Sequence, residues 1–231
     1  MTPETVLHRW VAEQSRRHPE LQVSFLVSHE YTHHVHRHLP ADAGDGTWTE
    51  LAQDLASGGM YRQAQELDAD AFAIYLGLGN FVRGAGRQGA LSQLGRPRLR
   101  DLEADALLLK CFFLSMTSIF CALWRGNIRI ASIWDVSHPP APVRIEYAIR
   151  VAKMWCKQNQ SVPQPWLESG RFREVFRAAV DAVGGTTPQE WDDHIKFLTS
   201  EEGSKYNESL LGRYELLRTG KESSPEPAVA R

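Results

Sequence analysis

The chain has 231 residues, 42% of them hydrophobic, and a formal net charge of −2 at neutral pH. That length suits one sizeable core, and the near-balanced charge excludes a global electrostatic reason to bind nucleic acid or an anionic membrane. Three cysteines, Cys111, Cys121 and Cys156, are odd in number and lack metal-finger spacing, which argues against a disulfide framework and for a reducing compartment. No basic stretch followed by an apolar run opens the chain, so a signal peptide is not expected and the expected location is cytoplasmic.

Thr2-Pro3 reads as a helix start, with Val6, Leu7, Trp10 and Val11 at helical spacing as far as Arg17. A second helix begins near Leu21, carries Val23, Phe25, Leu26 and Val27, and stops before Pro40. Ala41 to Gly46 is turn chemistry, and Trp48 to Leu55 is a candidate short helix. A long helix is expected over Tyr61 to Leu76, with Leu67, Ala71, Ile74 and Leu78 as the core stripe and Glu66, Asp70 and Ala73 on a neighbouring face. Gly77 to Arg100, rich in glycine and arginine, reads as a solvated connection rather than a lid. Its Gly84-Ala85-Gly86-Arg87-Gln88-Gly89 matches a dinucleotide fingerprint but follows a helix, with no strand before it, and is discounted.

Asp105 to Trp124 is the most apolar segment. A membrane span needs ~20 predominantly apolar residues, and Lys110, Ser115, Thr117 and Ser118 interrupt this one. A central core helix is therefore expected, and membrane association is the less favoured reading. Asp101, Glu103 and Asp105 before it read as negative charge at a helix start. Asn127 to Trp134 alternates imperfectly, as a short strand or an extended arm. Ser137 to Pro142 must be extended because of its prolines. A helix follows with Val143, Tyr147, Val151 and Trp155 on one face. The expected organisation is a core over residues 1–157, a linker over 158–165, a helical extension over 166–222 and a disordered tail over 223–231. Within the extension, a helix is expected from Trp166 to Val183, and Thr187-Pro188-Gln189-Glu190 fits a capping box.

The chemistry concentrates in His29-Glu30-Tyr31-Thr32-His33, an HExxH pattern. Residues four apart on a helix lie about 40° from each other around the axis, so both rings address one point with Glu30 beside it. Two imidazoles leave a tetrahedral zinc short of a protein ligand. A carboxylate from a second helix supplies it and keeps the fourth position open for water, as catalysis requires. Glu66 is the candidate third ligand, and Asp70, one turn later, the group that orients the Nδ1 side of a ligand histidine. A loosely metal-binding histidine tract competes with this reading, because five of the ten residues from His29 to His38 are histidine. Phe25 and Leu26, expected to turn the metal face into the core, favour a built site. His36 shares nearly the same face but stands a further turn along, and reads as a neighbour rather than a ligand.

His29-Glu30-x-x-His33, Glu66-x-x-x-Asp70 and Ser137-His138-Pro139 with Arg144 together resemble the gluzincin metallopeptidases of the HtpX, Oma and CAAX-prenyl-protease type, over roughly residues 21 to 150. The resemblance implies a mainly α, zincin-like helical core with little or no β-sheet and one zinc ion per chain. His29, His33 and Glu66 correspond to its ligands, Glu30 to the general base and Asp70 to the carboxylate behind a ligand. It implies that His138 helps stabilise the oxyanion and that Arg144 holds that region in place. On the residues alone, His138 reads as a surface-loop histidine and Arg144 as a solvated helix residue. The family usually carries a β-strand region before the metal helix, whose edge holds the substrate. Only 28 residues precede His29, and they read as helical, so either substrate is held differently or the substrate-binding part is missing or rebuilt from Asn127 to Trp134. The expected function is zinc-dependent hydrolysis of peptide bonds in a protein or peptide substrate. The alternative is a non-catalytic, zinc-stabilised interaction module derived from a peptidase fold.

Overall fold

A computed structural model of the chain describes residues 20–36, 38, 59–98, 100–123, 132–160, 193 and 196–219. The readings over the first 17 residues, over 41–55, 127–131, 161–183 and 187–190, and over the tail from Ser223, lie outside them.

The described residues are mainly helical and contain no strand. In chain order the helices are α1 (Glu20–Val35), α2 (Gly59–Leu78), α3 (Gly86–Gln93), α4 (Asp101–Leu123), α5 (Ala141–Gln158) and α6 (Glu201–Arg218). None of them is long and apolar enough to cross a membrane.

α2 is the central element, with α1, α5 and α6 packed against it. Every residue from Gln63 to Ala71 is buried, including Glu66, Asp68 and Asp70, so the expected separation of a core stripe from a carboxylate face does not hold. A helix enclosed on all sides can place acidic side chains inside the protein only where partners neutralise them. The expected stripe itself is deep in the core, with Leu67, Ile74 and Leu78 at most 1% exposed, each contributing about 1.5–3 kcal/mol by burial. Ala64, Ala69 and Ala73 are fully buried, and such short side chains let neighbouring helices approach closely.

α1 behaves differently from the expectation for its amino-terminal half. Phe25 is buried, but Val23 and Val27 are 55% and 62% exposed and Leu26 is 36% exposed. The buried positions are Phe25, His29, Thr32 and His33, a single stripe at helical spacing.

The Gly77 to Arg100 connection is not the solvated loop its composition suggests. α2 runs on through a π-helical turn over Gly79–Arg83, α3 follows, and Val82, Ala90 and Leu91 are buried. Two of its arginines are neutralised at the start of α4: Arg83 lies 2.9 Å from Asp105, and Arg87 lies 2.5 Å from Asp105 and 3.2 Å from Asp101. Gly77 admits α4 at close range, because a methyl group there would overlap the Phe112 ring. α4 is the expected core helix: Leu108, Phe112, Phe113, Leu114, Met116 and Phe120 are each at most 2% exposed.

Residues 132–136 form a tight turn, so the described end of the Asn127 to Trp134 segment is not a strand. Gln63 of α2 pins this turn by donating to the carbonyls of Ile133 (2.7 Å) and Val136 (2.9 Å). Tyr206 of α6 donates in turn to Gln63 Oε1 and packs edge-on against Trp134. The prolines then keep the chain extended to Pro140, with φ −53° and ψ 144°, before α5 opens with Ala141-Pro142. The expected face of α5 is buried at Val143, Tyr147, Val151 and Trp155.

Candidate metal centre

α1 and α2 bring three of the sequence-derived residues to one point. His29 Nε2 and His33 Nε2 face each other at 3.1 Å, as a one-turn separation on a helix dictates. The Glu66 carboxylate closes the triangle, with Oε2 3.3 Å from His29 Nε2 and Oε1 3.2 Å from His33 Nε2. Within the group, one ligand atom from each residue lies within 4.8 Å of the others.

Buried polar groups normally find hydrogen-bond partners, and here two do not: Glu66 Oε2 and His29 Nδ1 are buried without one. His29 Nδ1 lies 3.0 Å from Asp70 Oδ1, a charge contact rather than an aligned hydrogen bond. Two imidazole nitrogens turned toward each other and a carboxylate oxygen without a hydrogen bond put three atoms of metal-ligand type around one point. Two imidazoles and a carboxylate are a set that could hold a zinc ion, by charge and by ligand type.

The groups behind the triangle hold it in place. Arg144, in the first turn of α5, donates from Nε to Asp70 Oδ2 at 2.8 Å and from Nη2 to Oδ1 at 2.7 Å, a two-pronged grip on a carboxylate with no solvent exposure. The guanidinium also lies 3.7 Å from Glu66 Oε2 and stacks over the Phe120 ring at 4.5 Å. Phe120 in turn meets Phe25 edge-on, which seats the start of the histidine stripe on α4. Arg144 is therefore buried, and not the solvated residue that α5 alone suggests.

These charges shift one another. Burial opposes the charged form of His29, yet Asp70 and Glu66 beside it outweigh burial and raise its pKa to about 9. Burial likewise opposes ionised Glu66, and His29, His33 and His138 overcome it, holding the carboxyl well below its ordinary range. Asp70 is also lowered: burial resists ionisation, and Arg144 and then His29 prevail over it.

His138 comes to the rim of the site from the proline-bound segment. Its side chain is 45% exposed, and its Nε2 lies 3.5 Å from Glu66 Oε1, while Nδ1 is 2.8 Å from Ser137 Oγ. Glu30 is exposed beside His29 on α1, close enough for its charge to act on Arg144. All seven candidate site residues therefore fall in one neighbourhood of the fold.

Other residues of this region carry no role in the sequence reading. Asp68 and His38 join His36 in a second polar cluster that touches His33, and Gln63 fixes the turn leading to His138. The crowding of histidines before Pro40 was the only trace of this cluster in the sequence. Comparison of the chain with protein-family models, with curated proteins and with solved structures returned no match.

Proposed function

We propose that the chain is a zinc-dependent metalloendopeptidase with a zincin-like helical centre, cleaving peptide bonds at the junction of α1 and α2. One observation carries the reading: His29 Nε2, His33 Nε2 and the buried Glu66 carboxylate, whose Oε2 has no hydrogen bond, converge on one point, with the carboxylate of Glu30 adjacent in sequence.

His29, His33 and Glu66 would hold a zinc ion, which would supply Lewis acidity and lower the pKa of water toward ~7. Glu30, exposed and next to a ligand, takes the proton as the water oxygen adds to the carbonyl carbon, and passes it to the amine as the C–N bond breaks. When Ser137 donates its hydroxyl proton to His138 Nδ1, the imidazole proton sits on Nε2, on the Glu66 side of the ring. That N–H is placed to donate to the oxygen on which negative charge gathers, a contribution of about 3 kcal/mol where such donors have been removed. Arg144 and Asp70 keep His29 oriented throughout.

The test is purified, zinc-loaded protein against a broad peptide library, beside two variants. Wild type cleaves, Glu30→Gln keeps its zinc and loses turnover, and His33→Ala loses both. Retained cleavage by Glu30→Gln defeats the assignment of the base. Stoichiometric zinc with no cleavage by wild type replaces the peptidase with a zinc-stabilised interaction module.

A further inference from the structure

The second polar cluster lies at the end of α1. Asp68 Oδ2 is 2.5 Å from His36 Nδ1 and 3.2 Å from His38 Nε2, and one ligand atom from each of the three residues lies within 4.8 Å of the others. Asp68 and His38 are 11% and 5% exposed at their side chains, whereas His36 is 34% exposed, so a rigid floor has one ligand open to solvent. Gln65 fixes that floor by donating to the His38 carbonyl at 3.0 Å. Two imidazoles and a carboxylate are donors suited to zinc, copper and nickel ions.

We propose that His36 Nδ1, His38 Nε2 and the Asp68 carboxylate form a second divalent-metal site, weaker than the first and opposed to it through the contact between His33 and His38. The opposition rests on the reading of the first site; the ligand set does not. Its origin is a count of protons. An ion on His33 Nε2 leaves the His33 proton on Nδ1, which lies 3.1 Å from His38 Nδ1. His38 Nδ1 must then accept, so the His38 proton stays on Nε2 and is donated to Asp68. In that state His38 and Asp68 act as positioning residues for His33, as Asp70 and Arg144 do for His29.

An ion at the second site needs His38 Nε2 free of its proton, which places the ring proton on Nδ1. Two N–H groups then meet head to head at the 3.1 Å contact. Filling both sites requires that one of these protons leave for solvent or that a ring turn away. Each ion therefore weakens the other, and by linkage it does so by the same factor.

The test titrates metal-free full-length protein with Zn²⁺ in competition with a chromophoric chelator, and follows the imidazole ¹⁵N resonances of wild type. We expect two ions per chain, the second bound at least about tenfold more weakly, within the usual range of coupled sites. His36 Nδ1 should shift only with the second equivalent. His36→Gln should lose the weak ion and keep the strong one, because His36 touches Asp68 and not His33. His33→Gln should lose the strong ion and tighten the weak one. Circular dichroism establishes that the variants fold, and the wild-type resonances decide if they do not. A single strong ion with no movement of His36, or a His36→Gln protein that still binds two ions, overturns the second site. A weak ion on His36 without any strong ion leaves the second site standing and removes the first-site reading instead.

Discussion

Replacing Arg144 by methionine keeps the length of the side chain but strips Asp70 of two charge-assisted hydrogen bonds at 2.8 and 2.7 Å inside a fully buried setting. Breaking a buried ion pair by removing one partner costs about 3–5 kcal/mol, because the other charge stays behind. Two features limit the loss here. His29, with its pKa raised to about 9, remains charged at neutral pH 3.0 Å from Asp70 and takes up part of the carboxylate charge. Asp70 can also escape by protonating, which at pH 7 costs about 4 kcal/mol for a group of ordinary pKa ~3.9, and at pH 5 only about 1.5 kcal/mol. The expected destabilisation of metal-free protein is therefore about 3 kcal/mol at pH 7, falling to about 1.5 kcal/mol at pH 5. Urea unfolding followed by circular dichroism at both pH values, with a chelator present, measures it. A loss under about 1 kcal/mol at pH 7, or one that does not shrink at pH 5, refutes the argument that Arg144 neutralises a buried charge.

Three further expectations follow from particular contacts. The His29 pKa is raised, so its contribution to the stability of metal-free protein is complete below the unfolded value of ~6.5 and is lost as pH rises through about 9. Its size is about 3 kcal/mol, read as a fall in the urea midpoint between pH 6.5 and 9 that zinc-loaded protein lacks; a flat or rising midpoint in metal-free protein contradicts it. Gly203→Ala drives a methyl group into the Phe197 carbonyl at the start of α6 and should lower the melting temperature, whereas Gly89→Ala meets nothing within 4 Å and should raise stability by about 0.5–1 kcal/mol. Equal effects in the two melts would contradict the packing of α6. Gln63→Leu removes the donors to Ile133 and Val136, so it should loosen the turn before His138 and raise amide exchange there, with circular dichroism unchanged; unchanged exchange would show that the turn is held otherwise.

What the sequence revealed depended on how local each relation was. The pairing of His29 with His33 follows from helix pitch alone, and the Glu66 and Asp70 face from the same pitch on a second helix. No periodicity could place Arg144, whose partner Asp70 is 74 positions away; only the motif resemblance pointed to it. Asp68 escaped notice because a stripe argument assigned the carboxylates of α2 to one face, whereas the helix is buried at every position from Gln63 to Ala71. His38 lies past the end of α1 at Val35, beyond the reach of a helical-face argument. The arginine-rich connection reads as solvated until Asp101 and Asp105, distant in sequence, are seen to neutralise Arg83 and Arg87. Exposed Val23 and Val27 show the same limit in reverse, since hydrophobicity near a motif does not decide which side of a helix faces inward.

On the proposed function, His29, His33 and Glu66 grip one zinc ion beside Glu30. Anomalous diffraction at the zinc edge, from crystals grown with zinc, tests it most directly. The strongest peak should lie at about 2.0–2.2 Å from both Nε2 atoms and a Glu66 oxygen. A map with no peak between these three side chains, or a Glu66 carboxylate turned away from both rings, would contradict it.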